Sequence, residues 1–586
     1  MTAPAHSSDA RALTFRWVSV AALTLFLGGA GSQYLFAQAG NSGGEESYTI
    51  SGTVVNSVTH APVGRALVFS QGNRLARLTD NQGHFEFKIQ RPPQEEGPTS
   101  QTVTPTFSDL SPMMSRTPIT NVFLMARKPG YFQSGGQQPT LDSDSTTSSK
   151  ITISLVPESL IIGHVNLAVN DGTDKIQVQI YRRQVQEGHA KWVSVNVVTT
   201  RANGDFRFAN LQEGDYKLFT QDQLDLDPLT LNPFGQLFGY PPVYYPSAAN
   251  FETGAKIHLK AGETFSATLV PSRRQYYRVK LNVQNAPMGG GISINVEAQS
   301  HPGPGYSLGY NANENTIVGM LPSGTYSVEV TKFGEGGSTG TVNLSVNGAP
   351  VEGPSVMLAP NSAVELHVTD ERTNSDNTIA GGVRNLLNSM NLELVPSNEF
   401  GRVSMVRLQP PKGPEDESLV LGDIQPASYR VRTTCNPFSY VAEATSGGIN
   451  LLRQPLVVGF GAAIAPIEIT VRDDGAKVQG SIEGWPAPQP GQSTVFSPES
   501  SPTVVLLPAA DNPGQFCKSW ISPQGDFHFS QVPPGEYRVL AFDRLPENLE
   551  YEDPEAMQKY ESSGEVLELV AGQNEHVRIA LIKENE

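Results

Sequence analysis

Apolar and polar residues alternate in short runs along almost the whole chain, and Gly, Pro, Asn and Asp break the runs apart. Alternation with period 2 between turn residues predicts many short, half-buried β-strands. Helical periodicity is weak. The best helical segment runs from Asp553 to Tyr560, with Pro554 suited to the first helical position.

The strands recur as a unit. Gln82-Gly-His-Phe-Glu-Phe87, Asn203-Gly-Asp-Phe-Arg-Phe208 and Gln524-Gly-Asp-Phe-His-Phe529 share one pattern. In the second and third copies a further element follows, Leu211-Gln-Glu-Gly-Asp-Tyr216 and Val532-Pro-Pro-Gly-Glu-Tyr537. Weaker copies end at Tyr326 and Tyr429, where Val318 and Leu421 take the place of Phe208. The glycine tolerates positive φ and lets the chain reverse into a hairpin. Phe-x-Phe then sets two rings on one strand face. The Pro/Gly step turns the chain again. The tyrosine opens the next strand, burying its ring while its hydroxyl finds a partner. A lone hairpin of this kind is marginal in water and needs a partner sheet.

The fold class this implies is all-β, with about five tandem Greek-key-like sandwiches. The units read as 48–157, 158–271, 272–360, 361–472 and 473–586, after a flexible leader at 40–47. Polar loops interrupt the first unit at 92–118 and 133–149. Residues 1–39 read as a signal peptide. Arg11 and Arg16 precede an apolar run from Trp17 to Leu27, and Ala37-Gln38-Ala39 supplies an A-x-A cleavage pattern. An uncleaved anchor from Trp17 to Phe36 is the alternative, and it would be the only attachment to a membrane.

Charge narrows the partners. A net charge of −17 opposes docking on nucleic acid or anionic lipid. The two cysteines, Cys435 and Cys517, stand 82 residues apart in different predicted units. The preferred reading is two separate buried thiols, because sequence does not bring them within bridging range.

The first unit contains Ile50-Ser-Gly-Thr-Val-Val55, Ala61-Pro-Val63, Ala66-Leu-Val68, Thr79-Asp-Asn-Gln-Gly83-His-Phe85 and Arg127-Lys-Pro-Gly-Tyr131. In order and spacing these resemble the carboxypeptidase regulatory-like domain, a transthyretin-like sandwich. The second and fifth units look like divergent copies. The resemblance implies a large exported bacterial protein of tandem modules. It also implies carbohydrate as a ligand, since the family is grouped with starch-binding-like sandwiches. It does not bring a peptidase: no histidine begins an H-x-x-E, and no H-E-x-x-H occurs.

Candidate sites are few. Gly305-Tyr-Ser307-Leu-Gly309 fits G-x-S-x-G, but it lies in a Pro/Gly loop rather than a strand–turn–helix elbow, so it reads as incidental. Asp80-Asn81 reads as turn chemistry, and Asp142 and Asp144 lack the ligand spacing of a calcium loop. The acidic stretch Glu547 to Glu561 reads as a solvated face. Phe234, Phe238, Tyr240, Tyr244 and Tyr245, laced with prolines, form a candidate aromatic ligand platform. The competing reading buries these rings under their own loop, and it extends to Trp192, Trp485 and Trp520. No cofactor and no metal are expected.

Taken together, the sequence predicts a non-catalytic, exported envelope or extracellular protein that binds a glycan or a partner protein. Its sandwiches would act as rigid spacers. One rival is an enzyme with an inter-domain site that has no local motif. Another is an accessory subunit of a cell-surface assembly.

Overall fold

The computed structural model describes residues 47–70, 75–90, 123–133, 150–167, 175–186, 188–225, 237–286, 291–300, 302–334, 336–373, 382–397, 399–400, 405–413, 416–485, 502–509 and 515–583. The proposed signal segment, Phe234, Asp142 and Asp144, and the loop at 92–118 lie outside them, as does nearly all of 133–149.

The chain is all-β, built of small paired sheets in tandem. Its principal buried apolar clusters span residues 50–155, 161–269, 279–358, 364–471 and 476–579. One topology repeats around each. A central opening strand pairs antiparallel on one side and parallel with a strand near the unit's end on the other. The opening strands are Ser47–Asn56, Ser159–Val165, Arg274–Gln284, Ser362–Asp370 and Ala476–Ile482. Their parallel partners are Lys150–Leu155, Thr264–Leu269, Val351–Met357, Ile467–Arg472 and Asn574–Ile579.

The repeat glycine does one job in three units. Gly83, Gly204 and Gly525 have φ of 75°, 85° and 89°. Their carbonyls accept from Val54, Val165 and Ile482 on the opening strands at 2.8, 2.9 and 2.9 Å. The Phe-x-Phe strand then lies antiparallel to the opening strand. Its first ring pairs with a glycine there: Phe85 with Gly52, Phe206 with Gly163, Phe527 with Gly480. A Cβ on Gly163 would stand 2.2 Å from Phe206 Cζ, so the ring occupies the space a side chain would need.

The repeat tyrosines close the second sheet. Tyr216, Tyr326 and Tyr429 are buried, and each hydroxyl donates to the carbonyl four residues earlier: Gln212 at 2.7 Å, Pro322 at 2.8 Å, Gln425 at 2.8 Å. The bond satisfies both the phenol and the turn that precedes its strand.

One sequence alignment needs correction. Leu421 is buried like Phe208 and Phe529, but Val318 faces outward. The second, fourth and fifth units carry a bulge here, with Asn210, Asp423 and Gln531 at positive φ. The third unit pairs without interruption from Thr316 to Pro322. Without the extra residue the side-chain alternation falls one step out of phase, and Ile317 turns inward in place of Val318.

Helix is scarce, as expected. Pro554–Met557 is helical and runs into a 3-10 turn at Gln558–Tyr560, with Asp553 capping the Glu555 N–H. A second helix, Gly382–Ser389, was not predicted. It buries only Leu386 and Leu387, too few apolar positions to form a periodic signal. Among the described residues no helix is long and apolar enough to cross a membrane.

Candidate functional site

The proposed aromatic platform is largely interior. Tyr240 is buried in the core of the second unit. Tyr244 is buried against Phe219 and Phe251, and its hydroxyl donates to Pro304 O at 2.6 Å. Tyr245 packs edge-on against Phe265. Phe238 is half-buried beneath the Arg273 guanidinium, 4.3 Å from its ring centre. Packing therefore leaves Tyr240 and Tyr244 without a free ring face. Trp192 joins the same buried cluster, while Trp485 donates to Pro523 O and Trp520 is exposed.

The loop that carries these rings ties two units together. Gln223–Leu224 and Leu237–Tyr240 form a hairpin, and Leu237–Gly239 pairs with Arg274–Tyr276 at the start of the third unit. Asp225, almost fully buried, accepts from Arg273 Nε at 2.7 Å. Nearby, Asp222 accepts from Ser307 Oγ at 3.0 Å. Burial pushes the Asp222 carboxyl up to about 7, against the opposing pull of its Ser307 bonds. Ser307, the centre of the G-x-S-x-G sequence, thus serves as a donor at this seam.

A second seam joins three units. Gln177–Gln186 and His189–Thr199 form a long hairpin whose tip reaches both the fourth and fifth units. Arg183 grips Glu550 with both terminal guanidinium nitrogens. Glu552 pairs with His189 at 3.0 Å and with Arg430. Lys191 Nζ donates to Pro396 O at 3.0 Å, and the Trp192 N–H donates to Glu399 O at 2.7 Å. Burial raises the Glu552 carboxyl, but His189 and Arg430 outweigh it and hold the group below its usual range. The acidic stretch is therefore in part a docking element, not a solvated face. Its carboxylates lie at the seam because basic groups from two other units meet them there.

Cysteine pairing also differs from expectation. Cys435 and Cys517 form a disulfide with Cα atoms 5.5 Å apart, joining the fourth unit to the fifth. Phe516, beside Cys517, stacks on Tyr551 at 4.3 Å, so the covalent link borders the ionic seam. The two thiols meet because the units dock, which separation along the sequence does not reveal.

A cleft of about 380 Å³ opens beside this junction. Its walls come from the end of helix Gly382–Ser389, from strands Glu393–Pro396 and Val406–Arg407, and from the end of strand Ala427–Arg432 with Thr434 beyond it. Asn388, Asn391, Arg407, Arg432 and Thr434 bring donors, and Leu392, Met405 and Leu408 bring apolar surface. Glu393, 7% exposed, accepts from Arg407 Nε at 2.7 Å. Asn391 has φ of 45° and its amide donates to Thr434 Oγ1 at 3.2 Å. The cleft thus combines the Arg407–Glu393 pair with amide, guanidinium and hydroxyl groups. Nothing in the local sequence marks it, since its residues come from three separate stretches, 388–393, 405–408 and 432–434. Among the described residues no group of His, Cys, Asp and Glu could hold a metal ion.

No family model matches the chain, and no curated protein is similar to it. Solved structures similar in part include the TIE protein of Bacillus anthracis, 10% identical with a TM-score of 0.16, covering 53% of this chain. This chain spans half of that protein's length. A minor pilin of Streptococcus agalactiae is 10% identical with a TM-score of 0.17, covering 38% of this chain and 95% of its own. A streptococcal ancillary pilin is 11% identical with a TM-score of 0.15, covering 54% of this chain and all of its own.

Proposed function

We propose that this chain is a non-catalytic binding scaffold of the bacterial envelope or exterior, its second to fifth sandwiches docked into one body. The observation that carries this is the three-unit junction. There a disulfide, a two-pronged Arg183–Glu550 pair and the Glu552 pairs converge from the second, fourth and fifth units. Groups that would otherwise mark chemistry are spent on holding units together. Ser307 and Asp222 bond each other at one seam, and the acidic stretch is engaged at another. Such a body presents fixed surfaces and clefts rather than independently swinging spacers. Membership of the carboxypeptidase regulatory-like family and export through the N-terminal segment belong to this proposal. So does a glycan or an envelope protein as the bound partner.

The test takes residues 40–586 through panels of ester, glycoside and peptide substrates and through binding to isolated envelopes. Retention on envelopes without turnover is expected. Turnover lost on Asp222→Asn or Ser307→Ala would instead make the seam between the second and third units an active site.

A further inference from the structure

The chain contains two Asn-Gly pairs, Asn203-Gly204 and Asn347-Gly348. Asparagine before glycine is open to ring closure on its own backbone, because glycine has no Cβ to shield its nitrogen. That nitrogen, once it has lost its proton, can attack the asparagine Cγ. The path needs a glycine N–H that is not held and an amide side chain free to swing onto it.

The two pairs differ in both respects. Asn203-Gly204 belongs to the repeated turn of the second unit and is held at each reacting group. The Gly204 N–H donates to Arg201 O at 2.9 Å. Asn203 Nδ2 donates to Asp205 Oδ2 at 2.6 Å, and Asn203 Oδ1 accepts from the Asp205 N–H at 3.2 Å. Asp205 is itself anchored on His164 Nδ1 at 3.0 Å. A Cβ on Gly204 would meet Val165 O at 2.5 Å, so the turn is packed against the opening strand. These bonds must break before the ring can form, which slows the attack.

Asn347-Gly348 lies in the exposed link 347–350 between strands Ser338–Val346 and Val351–Met357. Among the described residues neither the Asn347 side chain nor the Gly348 N–H has a hydrogen-bond partner. Gly348 has φ of 73°, and a Cβ there would find Tyr277 Oη only at 3.9 Å. The link therefore has room to rotate.

We propose that Asn347 is a site of spontaneous deamidation, while Asn203 is protected by its turn. Gly348 N bonds to Asn347 Cγ, the Cγ–Nδ2 bond breaks, and ammonia leaves with the proton from Gly348 N. Water, the only co-reactant, then opens the five-membered ring at either carbonyl and leaves aspartate or isoaspartate. Both products add a negative charge to the link. Isoaspartate also lengthens the backbone by one carbon, just ahead of Val351, which pairs with Val279 of the third unit's opening strand. This inference is independent of the binding-scaffold reading.

Residues 40–586 would be incubated at mildly alkaline pH, native and in urea, in heavy-oxygen water, and mapped by mass spectrometry. In urea the two pairs should convert at similar rates, since sequence alone governs them there. In the native protein Asn347 should convert tenfold or more faster than Asn203, the scale set by one or two hydrogen bonds. Asp205→Ala should release Asn203 and speed its conversion about tenfold while leaving Asn347 unchanged. Gly348→Ala should slow Asn347 by tenfold or more. Equal native rates, or Asn203 leading, would overturn the proposal. So would the same preference for Asn347 in urea, or Asn347 intact in the native protein after the unfolded chain has converted. Asn203 staying slow in folded Asp205→Ala would overturn its protection by the turn. The wild-type comparison decides by itself should either variant fail to fold.

Discussion

At the residue scale, the unit depends on a ring placed over a glycine. Phe206 lies across Gly163, and both Phe206 and its neighbour Phe208 enter the core. A methyl at residue 163 would meet the ring at 2.2 Å and the Ala267 carbonyl at 2.4 Å. The backbone partner cannot swing away, since it belongs to the parallel strand. Gly163→Ala should therefore destabilise the second unit by about 1–3 kcal/mol, the usual range for overpacking a close-fitted core. Denaturant unfolding would measure it, and an unchanged midpoint would mean the ring moves freely. The Phe-x-Phe half of this pairing was legible in the sequence. Its glycine half was visible as Ile50-Ser-Gly52 and Val478-Gln-Gly480, but only strand pairing revealed which ring covers which glycine.

At the element scale, the hairpin Gln223–Leu224/Leu237–Tyr240 belongs by sequence to one unit and by hydrogen bonding to the next. Asp222 sits at its root, facing Ser307, with Tyr276, Tyr306 and Tyr326 close by. Its carboxyl is raised from 3.8 to about 7. A raised acid is bound more tightly by its proton in the folded state. Its contribution is complete below the unfolded value near 4 and is lost as pH rises through about 7. The seam between the second and third units should thus be firmer at pH 5 than at pH 8. The expected difference is on the order of 2–3 kcal/mol, since about two pH units separate 5 from the folded value and each is worth about 1.4 kcal/mol. Asp222→Asn should flatten this dependence. Hydrogen exchange in 237–240 and 274–276 at the two pH values would check it, and equal protection in the wild type would refute it. The sequence offered burial of these rings under their own loop as one of two readings. It gave no sign that the loop also extends the next unit's sheet, because an edge strand looks the same whichever sheet receives it.

At the scale of the whole molecule, the second unit folds back on the fourth and fifth. The disulfide closes a loop over a separation of 82 residues, for which chain entropy predicts up to about 4 kcal/mol of stabilisation. Replacing both cysteines by serine should split a single calorimetric transition into two and open the fifth unit to proteolysis near its junction. Below pH 4 the same seam should weaken, because Glu552 is held below its usual range and its contribution disappears as it protonates. A double-serine variant with an unaltered melting profile would show that the remaining contacts suffice to hold the units together.

The sequence by itself determined the strand content, the repeated hairpin, its turn glycines and tyrosines, and the presence of a short capped helix near residue 554. These are encoded locally, by alternation and by backbone freedom within a few residues. Tertiary structure decided which rings are covered, that Cys435 meets Cys517, that Glu550 and Glu552 face basic partners, and that three distant stretches enclose a polar cleft. Those outcomes depend on surfaces brought together from residues as far apart as 183 and 550. Single side chains that pair across a fold carry no periodicity, so only the docked units reveal them.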